Sequence, residues 1–409
     1  MSELPNVAGR HIVLGVSGGI AAYKAIEVCR RLVDAGARVT PILTESALNF
    51  VGPVTFNALA TEPLATSLFD SDDPIPHTTL GQTADLIVVA PATARVIGSY
   101  TAGISDDLLG ATLIATRAPV VVCPAMHTEM WEHPSVQENL ATLRRRGVHV
   151  VDPEEGRLAG GDVGSGRLAA PERIVTEIDR VLGPQDLEGL SVVVSAGGTR
   201  EPIDPVRYIS NRSSGKQGHA LAAEAAARGA DVTLVTTVGL PVPHGVTAET
   251  VSTVDEMRAA MLRHADSDVI VMAAAVSDFR PVSVADQKLK KADGLPQIVL
   301  EPAPDILAEL GSIRSAGQTL VGFAAETQDL AANATSKLER KNLDMIVAND
   351  VSAPGVGFAH ETNAVTIHLA DGSSTQVPLS SKRAVAAAVF DTVLRVRAEG
   401  SASGADADQ

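Results

Sequence analysis

The stretch His11–Ala35, HIVLGVSGGIAAYKAIEVCRRLVDA, contains a strand, a turn and a helix, and it decides the fold class. Its first six residues form a short apolar run that predicts a buried strand, and Ser17–Gly19 predict a turn. From about Ile20 to Ala35, apolar side chains recur at i, i+4, i+7 and i+11, which predicts a helix. The residues predicted to face the core are Ala22, Ile26, Cys29 and Val33.

Short apolar runs of the same kind recur along the chain and are separated by helical patterns. Strands that alternate with helices form parallel sheets covered on both faces, so the sequence predicts an α/β fold. The glycine-rich stretch Gly156–Gly166 predicts a mobile flap or loop. Strands are predicted at Val39–Leu43, Leu86–Ala90, Val120–Cys123, Val148–Val151, Ser191–Ala196, Val232–Thr236, Val269–Ala273, Leu320–Phe323 and Met345–Ala348, with a terminal hairpin of Ala364–Leu369 and Thr375–Leu379.

The length of 409 residues is too great for one hydrophobic core, so we expect two domains. A helix predicted at Pro171–Leu182 closes the first half, and Gly183–Asp186 has the composition of a linker. The expected boundaries are residues 1–182 for the first domain, 183–189 for the linker, 190–398 for the second domain and 399–409 for a disordered tail.

The net charge of −16 argues against a nucleic-acid-binding protein, because no long basic stripe accompanies it. The chain has only two cysteines, Cys29 and Cys123, without disulfide-framework or metal-ligand spacing. No apolar run is long enough to span a bilayer, and no leader pattern opens the sequence. We therefore expect a cytoplasmic protein that binds neither nucleic acid nor membrane.

Polar segments follow several predicted strands of the first half, where open α/β sheets bind ligands. Hydroxyls and exposed amides suit a phosphate group, but Ser17 replaces the second glycine of the dinucleotide fingerprint, and Thr44 replaces its acidic residue. This favours a mononucleotide such as flavin mononucleotide (FMN), with a sheet that binds no nucleotide as the alternative. The predicted FMN-binding residues are Gly15, Ser17, Gly18, Thr44, Pro91, Ala92, Thr93 and Met126.

His77 follows an acidic, proline-broken segment, SDDPIP. A solvated loop histidine is the ordinary interpretation of such a residue. If it faces the crevice, its imidazole can move a proton near neutral pH.

The stretch Thr199–Gly215, TREPIDPVRYISNRSSG, opens the corresponding site of the second half. Its density of charged and amide side chains after a predicted strand indicates a bound anion, held partly by the amides of Ser213, Ser214 and Gly215 at a helix N-terminus. Glu201 and Asp204 are either an acid pair, metal ligands, or ion-pair partners of Arg200 and Arg207.

Further cations and small residues in the second half suit a nucleoside triphosphate. The run Lys288–Lys291, KLKK, is either a solvated basic turn or a polyphosphate contact. Lys337 and Lys341 share one helix face, where a bound anion would relieve their repulsion. The small residues Ala273, Ala274 and Ala275 let a flat ring approach the backbone.

At these residues the chain resembles the bacterial bifunctional coenzyme A biosynthesis proteins, which fuse a phosphopantothenoylcysteine decarboxylase to a phosphopantothenate–cysteine ligase. The resemblance implies two Rossmann-like three-layer domains with mainly parallel sheets: a flavodoxin-like flavoprotein domain and a ligase domain with a C-terminal hairpin. It covers nearly the whole chain and rests on GVSGGIAAYKA, PAMHTEMW, GDVGSGRL, TREPIDPVRYISNRSSGKQG, AAAVSDFRP, KLKK and PDIL.

For the first domain the resemblance implies FMN as cofactor and His77 as a catalytic residue. Loss of CO₂ from a cysteine amide leaves an unstabilised carbanion unless the flavin first oxidises the thiol, which supplies an electron sink. The product would be 4'-phosphopantetheine. The implied substrate-binding residues are His127, Met130, Gly160, Asp162 and Arg167.

Three positions depart from the family pattern. His127 stands where PAMN has an asparagine that contacts the substrate carboxylate, and Arg95 replaces the asparagine of PATAN. Gly160 stands where the flap carries a cysteine implicated as proton donor. We expect another donor to serve here; release of an oxidised intermediate is the alternative.

For the second domain the resemblance implies a ligase that couples 4'-phosphopantothenate to cysteine through an acyl-cytidylate, with CTP as co-substrate and Mg²⁺ as the metal. Asn211 and Lys288 are the implied catalytic residues, and Asp278 is the candidate metal ligand. The implied substrate-binding residues are Arg207, Ser213, Ser214, Gly215, Ala273, Ala274, Ala275, Asp278, Pro304, Asp305, Ile306, Leu307, Phe323, Lys337 and Lys341.

The resemblance also implies a homo-oligomer that combines decarboxylase trimers with ligase dimers, expected as a dodecamer. One alternative is an active ligase whose flavin-binding domain is catalytically impaired. Another, of a different class, is a nicotinamide-dependent dehydrogenase with two Rossmann-like domains.

Overall fold

The computed structural model describes residues 4–69, 73–158, 160–290, 297–326, 336–350, 360 and 362–406. The chain divides into two compact units, Met1–Pro184 (unit 1) and Gln185–Gln409 (unit 2). Leu187, within the expected linker, is fully buried in the core of unit 2. Within the described residues, no helix has both the length and the apolar character needed to cross a bilayer.

Unit 1 contains a five-stranded parallel sheet in the order β2-β1-β3-β4-β5. The strands are β1 (His11–Val16), β2 (Arg38–Leu43), β3 (Leu86–Ala92), β4 (Val120–Pro124) and β5 (His149–Val150). A separate antiparallel hairpin consists of β6 (Glu154–Arg157) and β7 (Val163–Arg167). The helices are α1 (Lys24–Asp34), α2 (Pro53–Leu59), α3 (Pro76–Thr83), α4 (Ala94–Ala102), α5 (Leu108–Ala115), α6 (Thr128–Trp131), α7 (Pro134–Arg145) and α8 (Pro171–Leu182).

Alternation along β1 gives unit 1 its three layers. Ile12 and Leu14 point to one face and pack with residues of α1 and α8, such as Ile178. Val13 points to the other face, where Leu109 of α5 and Leu140 of α7 cover it. Because both faces are covered, every residue of β1 is buried, as its continuous apolar run predicts.

Two local predictions for unit 1 are wrong in detail. The helix predicted from Ile20 is a 3₁₀ turn, Ile20–Tyr23, followed by α1. The buried face of α1 is therefore Ala25, Val28, Cys29 and Leu32, while Ile26 and Val33 are only partly buried. The predicted flap is a paired hairpin, in which Arg157 lies opposite Val163.

Unit 2 contains an eight-stranded mixed sheet in the order β12-β11-β8-β13-β16-β17-β18-β19, parallel as far as β17. The last two strands are antiparallel and form the predicted terminal hairpin. The strands are β8 (Ser191–Ala196), β11 (Asp231–Thr236), β12 (Val246–Thr250), β13 (Val269–Met272), β16 (Thr319–Glu326), β17 (Met345–Asp350), β18 (Thr362–Leu369) and β19 (Ser374–Ser381).

Helices cover both faces of this sheet, and two small ribbons stand apart from it. The ribbons pair β9 (Arg200–Asp204) with β10 (Arg207–Ser210), and β14 (Phe279–Pro281) with β15 (Leu300–Pro302). Leu221 of α9 packs on one face, and Met257 of α10 on the other. The helices are α9 (Lys216–Ala227), α10 (Val254–Arg263), α11 (Ile306–Ile313) and α12 (Lys382–Asp406), and residues 336–340 are also helical. Together the two units confirm the predicted α/β class.

α12 continues through residues 399–406, where the sequence predicted a disordered tail. Val385, Val389 and Val393 anchor this helix in the core of unit 2. Residues 407–409 lie outside the described part of the chain.

Gly218 allows α9 to approach the end of β8, so a side chain there should destabilise unit 2. A Cβ atom at Gly218 would lie 2.5 Å from Ala196 Cβ and 2.9 Å from the Ser195 carbonyl oxygen. We expect Gly218→Val to lower the free energy of unfolding by about 1–3 kcal/mol, because overpacking forces the helix away. Urea unfolding of the full chain measures this.

Gly239→Val is the matched control, because an added Cβ at Gly239 meets no atom within 4 Å. Equal unfolding midpoints for the two variants would contradict the packing argument.

Candidate functional sites

The carboxyl ends of β1 and β3 in unit 1 are joined through Ser17. Its buried hydroxyl donates to the Pro91 carbonyl over 2.8 Å and accepts from the Thr93 amide over 3.0 Å. The Ala90–Pro91 peptide bond is cis. Ala92 ends β3 in a buried position, and Thr93 is the N-cap of α4. The structure thus brings together four residues that the sequence predicts to bind FMN: Ser17, Pro91, Ala92 and Thr93.

Thr44 and Gly18 lie at the same edge of the sheet. Thr44 Oγ1 lies 3.1 Å from Ser46 Oγ, and a Cβ at Gly18 would lie 2.5 Å from Ser46 Cβ. Gly18 is therefore required for the turn after β1 to meet the turn after β2. Gly15 has a different role, because a Cβ there would lie 2.5 Å from Leu109 Cδ1 in the core.

The β6–β7 hairpin rests directly on the segment after β4. The Met126 amide donates to the Gly166 carbonyl over 2.9 Å, and the Thr128 hydroxyl donates to the Ser165 carbonyl over 2.8 Å. Gly164 and Gly166 leave room for this contact, since a Cβ at either would lie within 2.4 Å of residues 126–128.

His127 connects this segment to the tip of the hairpin. Its Nδ1 is hydrogen-bonded to the carboxylate of Glu129, and its Nε2 lies 3.2 Å from Asp162 Oδ2. The hydrogen bonds to Glu129 and then to Asp162 raise the pKa of His127 above its ordinary value. A Cβ at Gly160 would lie 3.7 Å from His127 Nε2. The neighbouring Ala159 lies outside the described residues.

The other substrate-binding residues predicted for unit 1 are also on these elements. Met130 is exposed on α6, and Arg167 is exposed at the end of β7. Lys24, which the sequence analysis missed, donates to the Leu168 carbonyl over 3.0 Å. Burial, and then the nearby charge of Arg167, lower the pKa of Lys24. Lys24 lies within the quoted stretch GVSGGIAAYKA, but a lysine at a helix start did not by itself indicate a ligand.

His77 lies in the first turn of α3 and not on a loop as predicted. Because α3 runs back along the sheet before β3, its first turn is at the same edge as the strand carboxyl ends. His77 Nδ1 is buried and has no hydrogen-bond partner among the described residues.

Arg95 is taken up by ion pairs. Its guanidinium lies 2.8 Å from Asp107 and 3.5 Å from Asp106, both just before α5. The arginine that replaces the family asparagine is therefore held by two aspartates of its own unit.

Unit 2 contains a cavity of about 600 Å³ at the carboxyl ends of its central strands. One wall of the cavity begins at Gly215, the N-cap of α9. The backbone of Gly215 is in the left-handed region, with φ 73°. The cavity collects almost all the residues predicted for unit 2: Asn211, Ser213, Ser214, Gly215, Ala273, Ala274, Ala275, Asp278, Pro304, Asp305, Ile306, Leu307, Phe323, Lys337 and Lys341.

Hydrogen bonds between neighbouring loops fix the cavity wall. Ser195 Oγ accepts from the Ala274 amide over 3.1 Å, and Asn211 Nδ2 donates to the Val276 carbonyl over 2.9 Å. Amides at the start of α9 face an environment rich in cations, which favours an anion. Gln217, inside the quoted stretch TREPIDPVRYISNRSSGKQG, also lines the cavity but was not singled out from the sequence. Asn349, Asn363 and Lys382 line it too and come from distant segments, so no local motif marked them.

Lys341 lies at the opposite wall, beside Asp305. Its Nζ is 2.9 Å from Asp305 Oδ1, which also accepts from the Ala308 amide as the N-cap of α11. Burial of Asp305 opposes its charge, but these hydrogen bonds outweigh burial and hold the pKa of Asp305 below its ordinary value.

Arg207 and Lys288 do not line the cavity. Arg207 Nη2 donates to the Leu289 carbonyl over 3.1 Å, and Arg207 Nη1 lies 3.5 Å from Asp204 Oδ2. Asp204 also accepts from the Leu289 amide, which ties the loop of Lys288 to the β9–β10 ribbon. Lys291 of the KLKK run lies outside the described residues.

Glu201 and Asp204 differ in their partners. Asp204 pairs with Arg207 as expected, whereas buried Glu201 accepts from the Val254 amide over 3.0 Å. Arg200 instead lies over the ring of Tyr208, 5.4 Å from its centroid. The expected Glu201–Arg200 pair is therefore wrong.

Asp278 is exposed at the rim of the cavity. Among the described residues, no three His, Cys, Asp or Glu side chains are grouped closely enough to hold a metal ion. A magnesium ion at Asp278 would therefore need ligands from a bound phosphate chain.

Comparisons with known proteins agree with this division into two units. Residues 2–183 match the flavoprotein family model, and residues 187–396 match the C-terminal domain of the DNA/pantothenate metabolism flavoproteins. The first unit is thus a flavoprotein domain.

Relatives match over almost the whole chain. The coenzyme A biosynthesis bifunctional protein CoaBC of Mycobacterium tuberculosis H37Rv is 48% identical over 403 residues, 94% of this chain and 96% of that protein. CoaBC of Bacillus subtilis is 48% identical over 382 residues, 91% of this chain and 94% of that protein. A crystal structure of the C-terminal domain of CoaBC aligns at 38% identity and TM-score 0.44, covering 51% of this chain and 96% of that one. The chain therefore belongs to the CoaBC family of bifunctional coenzyme A biosynthesis proteins.

Proposed function

We propose that unit 2 ligates 4'-phosphopantothenate to cysteine with CTP, and that unit 1 decarboxylates the resulting 4'-phosphopantothenoylcysteine with FMN. The observation that carries the proposal is the cavity of unit 2. It combines a helix N-terminus, four lysines and a wall of small residues in about 600 Å³, a volume suited to a nucleotide.

In the ligase reaction, the amides of Ser213, Ser214 and Gly215 together with Lys337 and Lys341 would bind the triphosphate. The carboxylate of phosphopantothenate would attack the α-phosphate of CTP, and the cysteine amine would then displace CMP. Asn211, fixed by its bond to Val276, would contact the acyl-cytidylate.

Three further residues complete the proposed ligase site. Mg²⁺ would be held by the phosphates with Asp278 as a protein ligand, since Mg²⁺ is usually bound by one or two carboxylates plus substrate phosphates. Lys288 would act in the second half-reaction. Arg207 would orient the loop of Lys288 through its hydrogen bond to Leu289.

In the decarboxylase, the loops of Ser17, Thr44 and Thr93 fit the single phosphate of FMN. They offer hydroxyls and amides, and Gly18 leaves the turn free of a side chain. When bound, the flavin accepts and returns two electrons. His77, with an unpartnered Nδ1, can accept a proton at the same edge of the sheet.

Substrate contacts in unit 1 would come from Met130, His127 and the hairpin, including Gly160, Asp162 and Arg167. The proposed assembly is a cytoplasmic homo-oligomer, a dodecamer of decarboxylase trimers and ligase dimers. The comparisons do not favour the alternative of a flavin-binding but impaired decarboxylase domain.

The proposal is tested with the purified full chain. We expect a yellow protein with a flavin absorption band, and release of CMP from CTP only when phosphopantothenate and cysteine are both present. The same assay with ATP in place of CTP tests which nucleotide the protein uses. A colourless protein that ignores CTP would refute both halves.

The contact between Gly18 and Ser46 predicts which glycine the flavin site requires. We expect Gly18→Ala to weaken FMN binding at least roughly tenfold, about 1.4 kcal/mol, because its Cβ would collide with Ser46. Flavin absorbance of the purified protein and FMN titration measure this, and CMP release should not change.

The control is Gly19→Ala in the same turn, where the nearest atom to an added Cβ is Thr93 Cγ2 at 3.5 Å. Full flavin retention by the Gly18→Ala variant would show that this turn does not bind the flavin.

The assignment of one reaction to each unit predicts reciprocal effects of two substitutions. His77→Asn should reduce CO₂ release at least about 100-fold, the typical contribution of a positioned acid or base, and leave CMP release unchanged. Asn211→Asp should impair CMP release alone, because a carboxylate there repels the substrate anions. Each variant is the control for the other, and a parallel fall of both activities would contradict the division.

A further inference from the structure

Decarboxylation requires a proton donor that the proposed function leaves unassigned. When a carboxylate leaves as CO₂, the electron pair of the broken C–C bond ends in a new C–H bond. One proton is therefore consumed for each CO₂ released, and an acid in the site must supply it.

The two cysteines of the chain cannot fill this role. Cys29 and Cys123 are both fully buried in the core of unit 1. Burial raises the pKa of Cys29 to about 11 and also raises that of Cys123. Neither thiol can reach a ligand at the edge of the sheet.

His127 has the geometry of an acid. A neutral imidazole carries only one N–H donor, whereas both ring nitrogens of His127 lie against carboxylate oxygens. The arrangement is satisfied only when both nitrogens are protonated. Its side chain remains 39% exposed, so the ring can take a new proton from water.

The surroundings of this ring are acidic on each element that contacts it. Glu129 comes from α6, and Asp162 comes from the tip of the β6–β7 hairpin. The pKa of Glu129 is lowered, first by a backbone hydrogen bond and then by His127, so its carboxylate stays ionised. Within the described residues, these are the two charged groups that act on the ring.

Gly160 leaves space next to the donor nitrogen. An added Cβ there would lie 3.3 Å from Asp162 Oδ2 and 3.7 Å from His127 Nε2. The absence of a side chain at this position opens one side of Nε2 beside the hairpin tip.

We propose that His127 is the acid of the decarboxylase reaction. After CO₂ has left, its Nε2 would give a proton to the carbon that has lost the carboxylate, and the bound reduced flavin would supply the hydride that completes the saturated thiol. This inference rests on the proposed decarboxylase function. Glu129 and Asp162 are positioning residues that keep the ring protonated and oriented. After transfer, the neutral ring keeps its Nδ1–H bond to Glu129 and recovers the Nε2 proton from water.

His127→Gln tests this role, because glutamine still donates a hydrogen bond but holds no transferable proton. In single turnovers of the FMN-loaded full chain at saturating substrate, CO₂ release and formation of the saturated thiol product are compared, because loss of substrate binding lowers both and loss of the proton donor lowers only the second. We expect formation of the saturated thiol product to fall about 100-fold. The decarboxylated product two hydrogens short should accumulate, and the flavin should remain reduced.

A second histidine controls for the substitution itself. His133→Gln changes an exposed residue that caps α7, and it should keep CO₂ and saturated product equal. If His127 only binds the substrate carboxylate, CO₂ and saturated product will fall together in His127→Gln, and the proposal is wrong.

Gly160→Cys tests whether the position beside Nε2 can hold an acid. Combined with His127→Gln, it places a thiol where the imidazole donor was, so it should restore saturated product at least roughly tenfold over His127→Gln alone. No restoration would contradict the placement of the transferred proton.

The charge on the ring is measurable without catalysis. In apoprotein with labelled histidine, NMR titration should give His127 a pKa above about 6.5, the value of free histidine. Glu129→Gln should lower this pKa. A titration at or below the free value would overturn the inference.

Failure of this inference is distinguishable from failure of the proposed function. If the unmodified chain releases no CO₂ from phosphopantothenoylcysteine, the decarboxylase function itself is wrong. If it does, and His127→Gln still yields saturated product at the normal rate, only the role of His127 is wrong.

Discussion

Parallel pairing of the central strands is the constraint on which both candidate sites depend. β1 lies between β2 and β3, and β8 lies between β11 and β13, all in parallel. Their carboxyl ends therefore meet at one edge of each sheet, and the loops that follow must converge there. Contacts without room for a side chain then hold the turn after β1 against the turn after β2 at Gly18, and α9 against the end of β8 at Gly218.

Most of the fold could be predicted from the sequence, because buried parallel strands are continuous apolar runs. Ser191–Ala196 and helix Pro171–Leu182 occur with the predicted bounds. The β9–β10 and β14–β15 ribbons were missed because their residues are mostly polar or proline-rich, and their pairing depends on tertiary contacts. The start of α1 was misplaced because periodicity does not distinguish a 3₁₀ turn from an α-helical one.

The candidate sites could be predicted less completely than the fold. Sequence motifs located the residues around Asn211, Ala273 and Lys341, which the fold gathers in one cavity. They could not locate Asn349, Asn363 or Lys382, because these residues reach the cavity only through the order of strands in the sheet. Arg207 and Lys288 show the opposite case, since both belong to sequence motifs but lie outside the cavity. Arg207 is on the β9–β10 ribbon, and Lys288 is on a loop tied to that ribbon.

The polar groups at the two sites match ligands of different charge. In unit 1, the loops around Ser17, Thr44 and Thr93 supply hydroxyls and amides, which can surround one phosphate without a cation at each oxygen. In unit 2, Lys337 and Lys341 and the start of α9 surround a larger cavity, where several negative charges must be balanced together. A chain with net charge −16 therefore places several lysines at this one cavity, and their positive charge favours an anionic ligand there over the rest of the surface.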